Sequence, residues 1–493
     1  MKKLSLYILT STFILASCGG GGGGGGGSPA NTILNSVPIV NAGNDQTVLA
    51  GTTVSLNGAA NDTDGQISNI EWQQTSGFSV SLANSNSYNA TFTAPTSSNQ
   101  LNLVFKLTVT DNDGGAGSDD VNITVSPAVS NVTIETSKKN LVYGDVYTLS
   151  WSITGNGTCN IAGEIDATVT ESGSMEVTAL MIGETETSIS CNNISDSVIT
   201  KTIPSFIDVP DSVFADVLTR LGYEVIDGQM SGSDALLIDR LCITSLYGFY
   251  GDPDENGIAI FDNSAVPDYG VRCIYTGNEN ETPPLISDTA GLEYFLNLQT
   301  MRLEWQDFTT INLNENSELF FLSLWNNPIT ELDVSSNVLL THLGLSETPL
   351  KTINTSTLFN LEEAAFQGGV FESLDFSQNQ KLRRVYLHDN PLTDFGISNN
   401  QSSLEELWAR NTDIEILDLS GFSKLNYIIL QESENLTYTN VYGVSNNQIP
   451  LRFYFTNCPS LSEIIVYDAE AFEAKRNTSG FSLDDHIVFV EGP

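Results

Sequence analysis

Apolar residues recur at a fixed interval through the second half of the chain. Leu298, Leu319, Leu340, Leu361, Leu382, Leu404 and Leu425 follow one another at 21, 21, 21, 21, 22 and 21 residues, each opening a pattern LxxLxL. Within one unit, Leu319, Leu322, Leu324, Asn327, Ile329 and Leu332 return as Leu382, Val385, Leu387, Asn390, Leu392 and Phe395. Each LxL predicts a short strand with two inward apolar side chains, and the asparagine can bond backbone groups at the bend that follows. One unit cannot bury its own face, so the units must stack into a solenoid. The period breaks between Gln431 and Pro450, after which Leu461, Ile464 and Val466 restore an LxxLxL-like unit.

Earlier in the chain the spacing shortens to two. From Val37 to Pro127, segments such as Thr53-Val54-Ser55-Leu56, Ile70-Glu71-Trp72 and Leu103 to Val109 alternate between Gly, Asn and Asp turns, predicting a small β-sandwich. A second sandwich is predicted from about Val129 to Phe206. Tyr147-Thr148-Leu149-Ser150-Trp151 brings a buried strand and a core Trp there, and Thr187 to Cys191 a second strand. A helical pattern then appears: Asp211 can cap a helix with Phe214, Val217, Leu218 and Leu221 on one face and Gly222 at its end, with a second short helix around Ser233 to Cys242. At the start, Lys2 and Lys3 precede an apolar run from Leu4 to Leu15, too short to span a membrane and shaped like an export signal.

Several stretches resemble known families. "LDVSSN" and "LDFSQN" in the repeats, with "VPDSVFADVLTRLGYE" before them, resemble bacterial leucine-rich-repeat proteins of the short internalin-like kind, over Val209 to about Val466. "VNAGNDQTV", "DTDGQI" and "LTVTDNDGG" resemble polycystic-kidney-disease-like (PKD-like) domains, with "WQQTSG" replacing the commoner WDFGDG-type turn. The second sandwich resembles a bacterial immunoglobulin-like domain in which Cys159 and Cys191 cross-link facing strands. Leu15-Ala16-Ser17-Cys18 resembles a lipobox, which implies that Cys18 becomes the lipid-modified N-terminus. Gly19 after it resembles the outer-membrane-directed form.

The expected architecture is mainly β: two Ig-like β-sandwiches followed by a leucine-rich-repeat solenoid with a small helical N-terminal cap. Its divisions are 1–17 signal peptide, 18–36 Gly-rich tether, 37–127 PKD-like sandwich, 128–206 Ig-like sandwich, 207–284 cap and insert, 285–472 repeats and 473–493 a C-terminal segment. The sandwiches read as spacers that lift the solenoid from the membrane.

Charge narrows the partners. The 493 residues carry a net charge of −41, with only 19 Lys and Arg, which argues against nucleic acid and anionic lipid surfaces. Membrane attachment is expected through the N-terminal lipid alone. With Cys18 lipidated, Cys159 with Cys191 and Cys242 with Cys273 are the sequence-local disulfide pairs of an exported protein, and Cys458 is left over.

No cofactor is expected, apart from calcium at one of two places. Asp252, Asp254 and Asn256 match the first half of an EF-hand loop, but the twelfth position is Asn263, so an ordinary acidic loop is the alternative. Asp62, Asp64, Asp111 and Asp113 either gather a calcium ion or bond their own turns.

Recognition is expected on the open face of the repeat sheet. In LxxLxL the third, fifth and seventh positions point outward, and they place Phe321, Trp325, Arg384, Tyr386, His388, Trp408, Arg410 and Tyr427 on that face as ligand-binding candidates. Arg302 projects there too. Aromatic residues and Arg are enriched where binding energy concentrates, and exposed Trp and Tyr also stack on sugar rings. The competing reading is that the aromatics only pack across neighbouring strands. No GxSxG, HExxH or P-loop occurs, so no enzyme is expected. The expected molecule is a monomeric, lipid-anchored outer-membrane protein, exposed at the cell surface, that binds a protein or carbohydrate. A structural envelope scaffold is the alternative, and an accessory polysaccharide-processing enzyme a remoter one.

Overall fold

The computed structural model describes residues 34–191, 193–245, 258–260, 272–276, 282–444 and 449–492. The chain is mainly β and divides into two compact units, residues 1–131 with 154–157, and the remainder.

The first unit is a sandwich. Its main sheet takes Gln46–Leu49, Ala116–Ser126, Leu101–Asp111 and Ile67–Ser76 in that order. Alternation is strict along Leu101–Asp111, where Leu103, Phe105, Leu107 and Val109 are all fully buried. They pack with Trp72, Phe92, Val121 and Ile123 into one core. Asp111 is buried and accepts hydrogen bonds from the Asn35 side chain and from the amides of Asp113 and Gly115, while Asp64 accepts from the Ser36 amide. Asp111 thus bonds both its own turn and the distant Asn35, whereas the Ser36 bond to Asp64 spans 28 residues.

The second unit opens with an Ig-like sandwich of five and three strands. Cys159 and Cys191 are disulfide-bonded with Cα atoms 4.3 Å apart. The two bridged strands are direct neighbours. Asn160 pairs with Ser190 in one antiparallel ladder, so the two cysteines stand side by side within a single sheet. Trp151 also departs from expectation. It is half-buried, donating from Nε1 to the Glu171 carbonyl, whereas Tyr147 and Leu149 fill the core.

The cap follows the sequence closely. Asp211 accepts from the amides of Val213 and Phe214 at the start of helix Ser212–Leu221, and Gly222 closes it in the left-handed region at φ 103°. Phe214, Val217 and Leu218 form its buried face. The second helix is shorter than expected, covering only Gly232–Ala235 behind the Ser231 cap. The residues after it extend instead, because Arg240–Thr244 pairs in parallel with Thr300–Glu304 and becomes a strand of the repeat sheet. Cys242 bonds to Cys273 on the neighbouring parallel strand Arg272–Tyr275.

From there the solenoid builds one long sheet. Thr300–Glu304, Phe321–Ser323, His342–Gly344, Glu363–Ala365, Arg384–Tyr386, Glu406–Trp408, Tyr427–Ile429 and Arg452–Phe455 lie parallel in sequence order. The ladder is in register by repeat position: Thr300, Phe321, His342, Glu363, Arg384, Glu406, Tyr427 and Arg452 form one row. The unit after Gln431 is therefore not where the leucines pointed. Arg452–Phe455 continues the sheet after a longer turn, while Glu463–Val466 belongs to a second parallel sheet with Ile416–Asp418, Tyr438–Asn440 and Val488–Glu491. Phe481–Leu483 adds to the first sheet beyond Arg452–Phe455.

Two asparagine ladders hold the turns. Asn327 donates to the Leu303 and Leu324 carbonyls, and Asn390 to those of Phe366 and Leu387. On the return side Asn316, Asn337, Asn379 and Asn400 are fully buried and donate to carbonyls of the preceding repeat. Such buried carbonyls must be bonded, because an orphaned one costs about 1–3 kcal/mol. Cys458 is free and fully buried. It occupies the register of Asn327 and Asn390, with its Sγ 3.1 Å from the Leu430 carbonyl, so it does an asparagine's work with a weaker donor.

The Ig-like sandwich is not separate from the solenoid. Val142 and Ile203 belong to the same buried cluster as the cap and the repeats. Asn140 donates to Asn297 across 2.7 Å, and Lys201 pairs with Glu315.

Candidate functional site

The strands are only three to five residues long, so each repeat offers the open face two or three side chains. Lateral register then stacks them into rows, and a residue's neighbours are those at the same position in adjacent repeats. The first part of this face is closed. Thr300, Arg302 and Glu304 are buried, and Arg302 lies over the Phe321 ring at 4.3 Å with Nη1 3.3 Å from Glu304 Oε1. Phe321, expected to meet ligand, is 7% exposed and stacks on His342 with ring centroids 5.6 Å apart. It forms a wall of the sheet, because Arg302 and His342 cover it on either side. Trp325 is half-buried and meets Trp305 edge to face at 5.6 Å.

The other candidates come together further along. Arg384, Tyr386, His388, Trp408, Arg410 and Tyr427 are all half-buried on adjacent strands. Tyr386 and Trp408 pack edge to face with centroids 5.5 Å apart, and Arg452 stands 6.0 Å over the Tyr427 ring. The aromatics therefore both pack across strands and keep part of their surface in solvent. Trp408 Nε1 is buried with no hydrogen-bond acceptor among the described residues.

The arginines are not idle positive charges. Arg384 Nη1 lies 3.0 Å from Glu363 and its Nε 3.6 Å from Glu406. Arg410 lies 2.9 Å from Asp389 and 3.9 Å from Glu432. Arg383, one position before the strand, lies 3.0 Å from Glu405 and 3.8 Å from Glu362. Each guanidinium thus sits between carboxylates of the preceding and following repeats. The hydrogen bond that Arg410 donates to Asp389 raises the Arg410 pKa, and the one that Arg384 donates to Glu363 raises that of Arg384. Burial, then Glu363 and Glu406, push the Tyr386 phenol well above its ordinary range, against an opposing effect of Arg384. Burial lowers the His388 pKa, which keeps the imidazole neutral at pH 7.

Sequence reasoning missed several members of this patch. Asp389 and Glu432 stand one residue past the seventh position, in a row where the backbone turns out of the sheet. That row comprises Trp305, Asn326, Glu347, Gly368, Asp389, Asn411, Glu432 and Asn457, all with φ between 51° and 69°. The sequence carried a partial signal for it, Asn, Asp or Gly at Asn326, Gly368, Asp389, Asn411 and Asn457, which Trp305, Glu347 and Glu432 lack. Arg452 and Tyr454 were hidden by the longer unit before them. Cys18 and the candidate calcium ligands Asp252, Asp254 and Asn256 lie outside the described residues.

Residues 42–125 match the family described as K319L-like, PKD domain, which places the match within the first sandwich. No curated protein matches the chain. Among solved structures, the functional domain of InlJ from Listeria monocytogenes, which includes a cysteine ladder, is similar at 18% identity with a TM-score of 0.34, over 53% of this chain. The chain spans 56% of that domain's length. The PKD domain from KIAA 1837 protein is 31% identical over 17% of this chain and 83% of its own, with a TM-score of 0.16. The immunoglobulin domains 1–5 of Sidekick-1 share 13% identity over 44% of each chain, with a TM-score of 0.23.

Proposed function

We propose that the chain is an exported, lipid-anchored binding protein in which a PKD-like and an Ig-like sandwich carry a leucine-rich-repeat domain, and that the open face of the repeat sheet recognises a protein or carbohydrate ligand. The observation that supports this best is the half-buried Tyr386–Trp408 pair, set among charged side chains on strands held in strict register. Aromatic rings fixed by their neighbours lose little entropy when a ligand covers them, which is why such residues dominate binding energy. Two disulfides fit an oxidising compartment outside the cytoplasm. Attachment would come from a lipid on Cys18, which closes the lipobox-like Leu15-Ala16-Ser17-Cys18.

The full chain should be tested against envelope and host-surface proteins and a glycan array, beside the double variant Tyr386→Ala/Trp408→Ala. Loss of a ligand by the variant, with unchanged circular dichroism and melting, is the expected outcome. Binding that survives the double variant would move recognition off this face. For the anchor, Cys18→Ser should release the protein from the membrane fraction. Cleavage by protease added to intact cells would favour a surface adhesin over a periplasmic scaffold.

A further inference from the structure

The charge arrangement around the aromatic pair restricts what it can bind. Two guanidinium groups, on Arg384 and Arg410, face four carboxylates on Glu363, Glu406, Asp389 and Glu432. Each arginine is held at 3.0 Å or less by one carboxylate and flanked at 3.6–3.9 Å by a second. The closer partner neutralises the arginine, and the further one is left as surplus negative charge. These side chains keep 22–46% of their surface in solvent, so the surplus is presented to a ligand and not sealed inside. The arginines accordingly brace the sheet across strands and are not free to grip an anion.

We infer that the face around Tyr386 and Trp408 takes a cationic protein segment, with Lys or Arg side chains of the partner lying over the two rings and against the second carboxylate of each triad. The inference rests on the reading of this face as the recognition surface and adds the charge class of its ligand. Three features converge on it. Tyr and Trp faces attract cations through the ring quadrupole, and more strongly where water is partly excluded. The carboxylate excess is local to the same strands. The chain as a whole, at −41, steers basic partners towards itself and repels acidic ones such as sulfated or uronic-acid glycans and phosphorylated segments.

The test uses the full chain and labelled peptides of equal length that are Lys/Arg-rich, uncharged or Asp/Glu-rich, together with a neutral and a sulfated oligosaccharide. Two variants are compared with the parent. Tyr386→Ala/Trp408→Ala removes the rings. Glu406→Gln/Glu432→Gln removes the more distant carboxylate beside Arg384 and Arg410, leaving each arginine its closer partner at 3.0 and 2.9 Å, so the sheet keeps its bracing. The basic peptide should bind the parent best, lose roughly 3- to 30-fold in affinity to the aromatic variant, lose several-fold to the glutamine variant, and weaken between about 50 and 300 mM salt. Equal binding of the basic peptide by all three proteins would mean that it merely follows the general acidity of the surface, and would overturn the inference. Ring-dependent binding of an uncharged, acidic or carbohydrate probe would also overturn it while leaving recognition on this face intact. Ring-independent behaviour of every probe would remove both.

Discussion

Asparagine and aspartate carry more of this fold than their polarity suggests. Asp333, Asp375 and Asp418 each accept the amide two residues on, from Ser335, Ser377 and Ser420, at 2.8–2.9 Å, which fixes the return turn of each repeat. Asn390 is 2% exposed and bonds carbonyls of two repeats, so Asn390→Ala should destabilise by about 1–3 kcal/mol, read from denaturant midpoints. Gly368 has φ 69°, and a Cβ there would come within 2.9 Å of Glu347 Cγ; Gly368→Ala should therefore lower stability by about 1 kcal/mol or more. The pH response also belongs to single residues. Burial would raise the Asp211 pKa, but the amides of Phe214, Ser287 and Asp288 and the Ser287 hydroxyl outweigh it and hold the carboxyl below its ordinary value. Its contribution is thus complete above the unfolded-state pKa of about 4 and is lost as pH falls through the lower folded value. His388 acts in the same sense at higher pH. Its folded pKa lies below 6.5, so the unfolded chain takes up the proton first and stability declines as pH drops below that point. Melting temperature followed from pH 7 to 3 should fall in both windows, and Asp211→Ala should flatten the lower one while costing about 1 kcal/mol at neutral pH.

At the level of elements, the sequence was most readable where one rule acted alone. The helix start at Asp211 and its end at Gly222 follow from local chemistry, since a side-chain oxygen bonds free amides and a residue without Cβ tolerates φ 103°. The repeat strands follow from the 21-residue interval, and the row alignment made outward positions predictable from His342 to Tyr427, whereas Thr300 and Phe321 in the same row are buried. The reading failed where two rules competed. Leu461, Ile464 and Val466 have the right spacing but the wrong place, because pairing with Tyr438–Asn440 draws Glu463–Val466 into the second sheet. Arg240 to Cys242 were expected to end the second helix, but they belong to the strand Arg240–Thr244, captured by a waiting parallel edge. The partners of Arg384 and Arg410 were illegible for another reason: they lie 21 or 22 residues away, and only lateral register brings them to 2.9–3.9 Å. Within the Ig-like sandwich, Cys159→Ser should cost about 2–5 kcal/mol, and reductant should cost the parent more, because it also opens Cys242–Cys273.

Over the whole molecule, the two compact units differ in how they are held. The first has its own core, built on Phe105 and Trp72. In the second, one buried cluster runs from Val142 in the Ig-like sandwich through the cap to Ile487 at the end of the repeats. Sequence periodicity predicts two independent bodies there, because alternation of two and a repeat of 21 name different architectures; burial joins them, since Val142 and Ile203 find their partners in the cap. The continuity has a mechanical consequence. On the proposed function, with an anchor at one end and a partner at the other, load would pass through Pro204 to Asp208, where sandwich and cap are sewn together by Gly232 donating to Ser205 and by pairing of Phe206–Asp208 with Gln229–Ser231. Under tension such a seam does not act as a hinge. Pulled from its ends in an optical trap, the protein should extend in one event for the first sandwich and a single, longer one for everything after it.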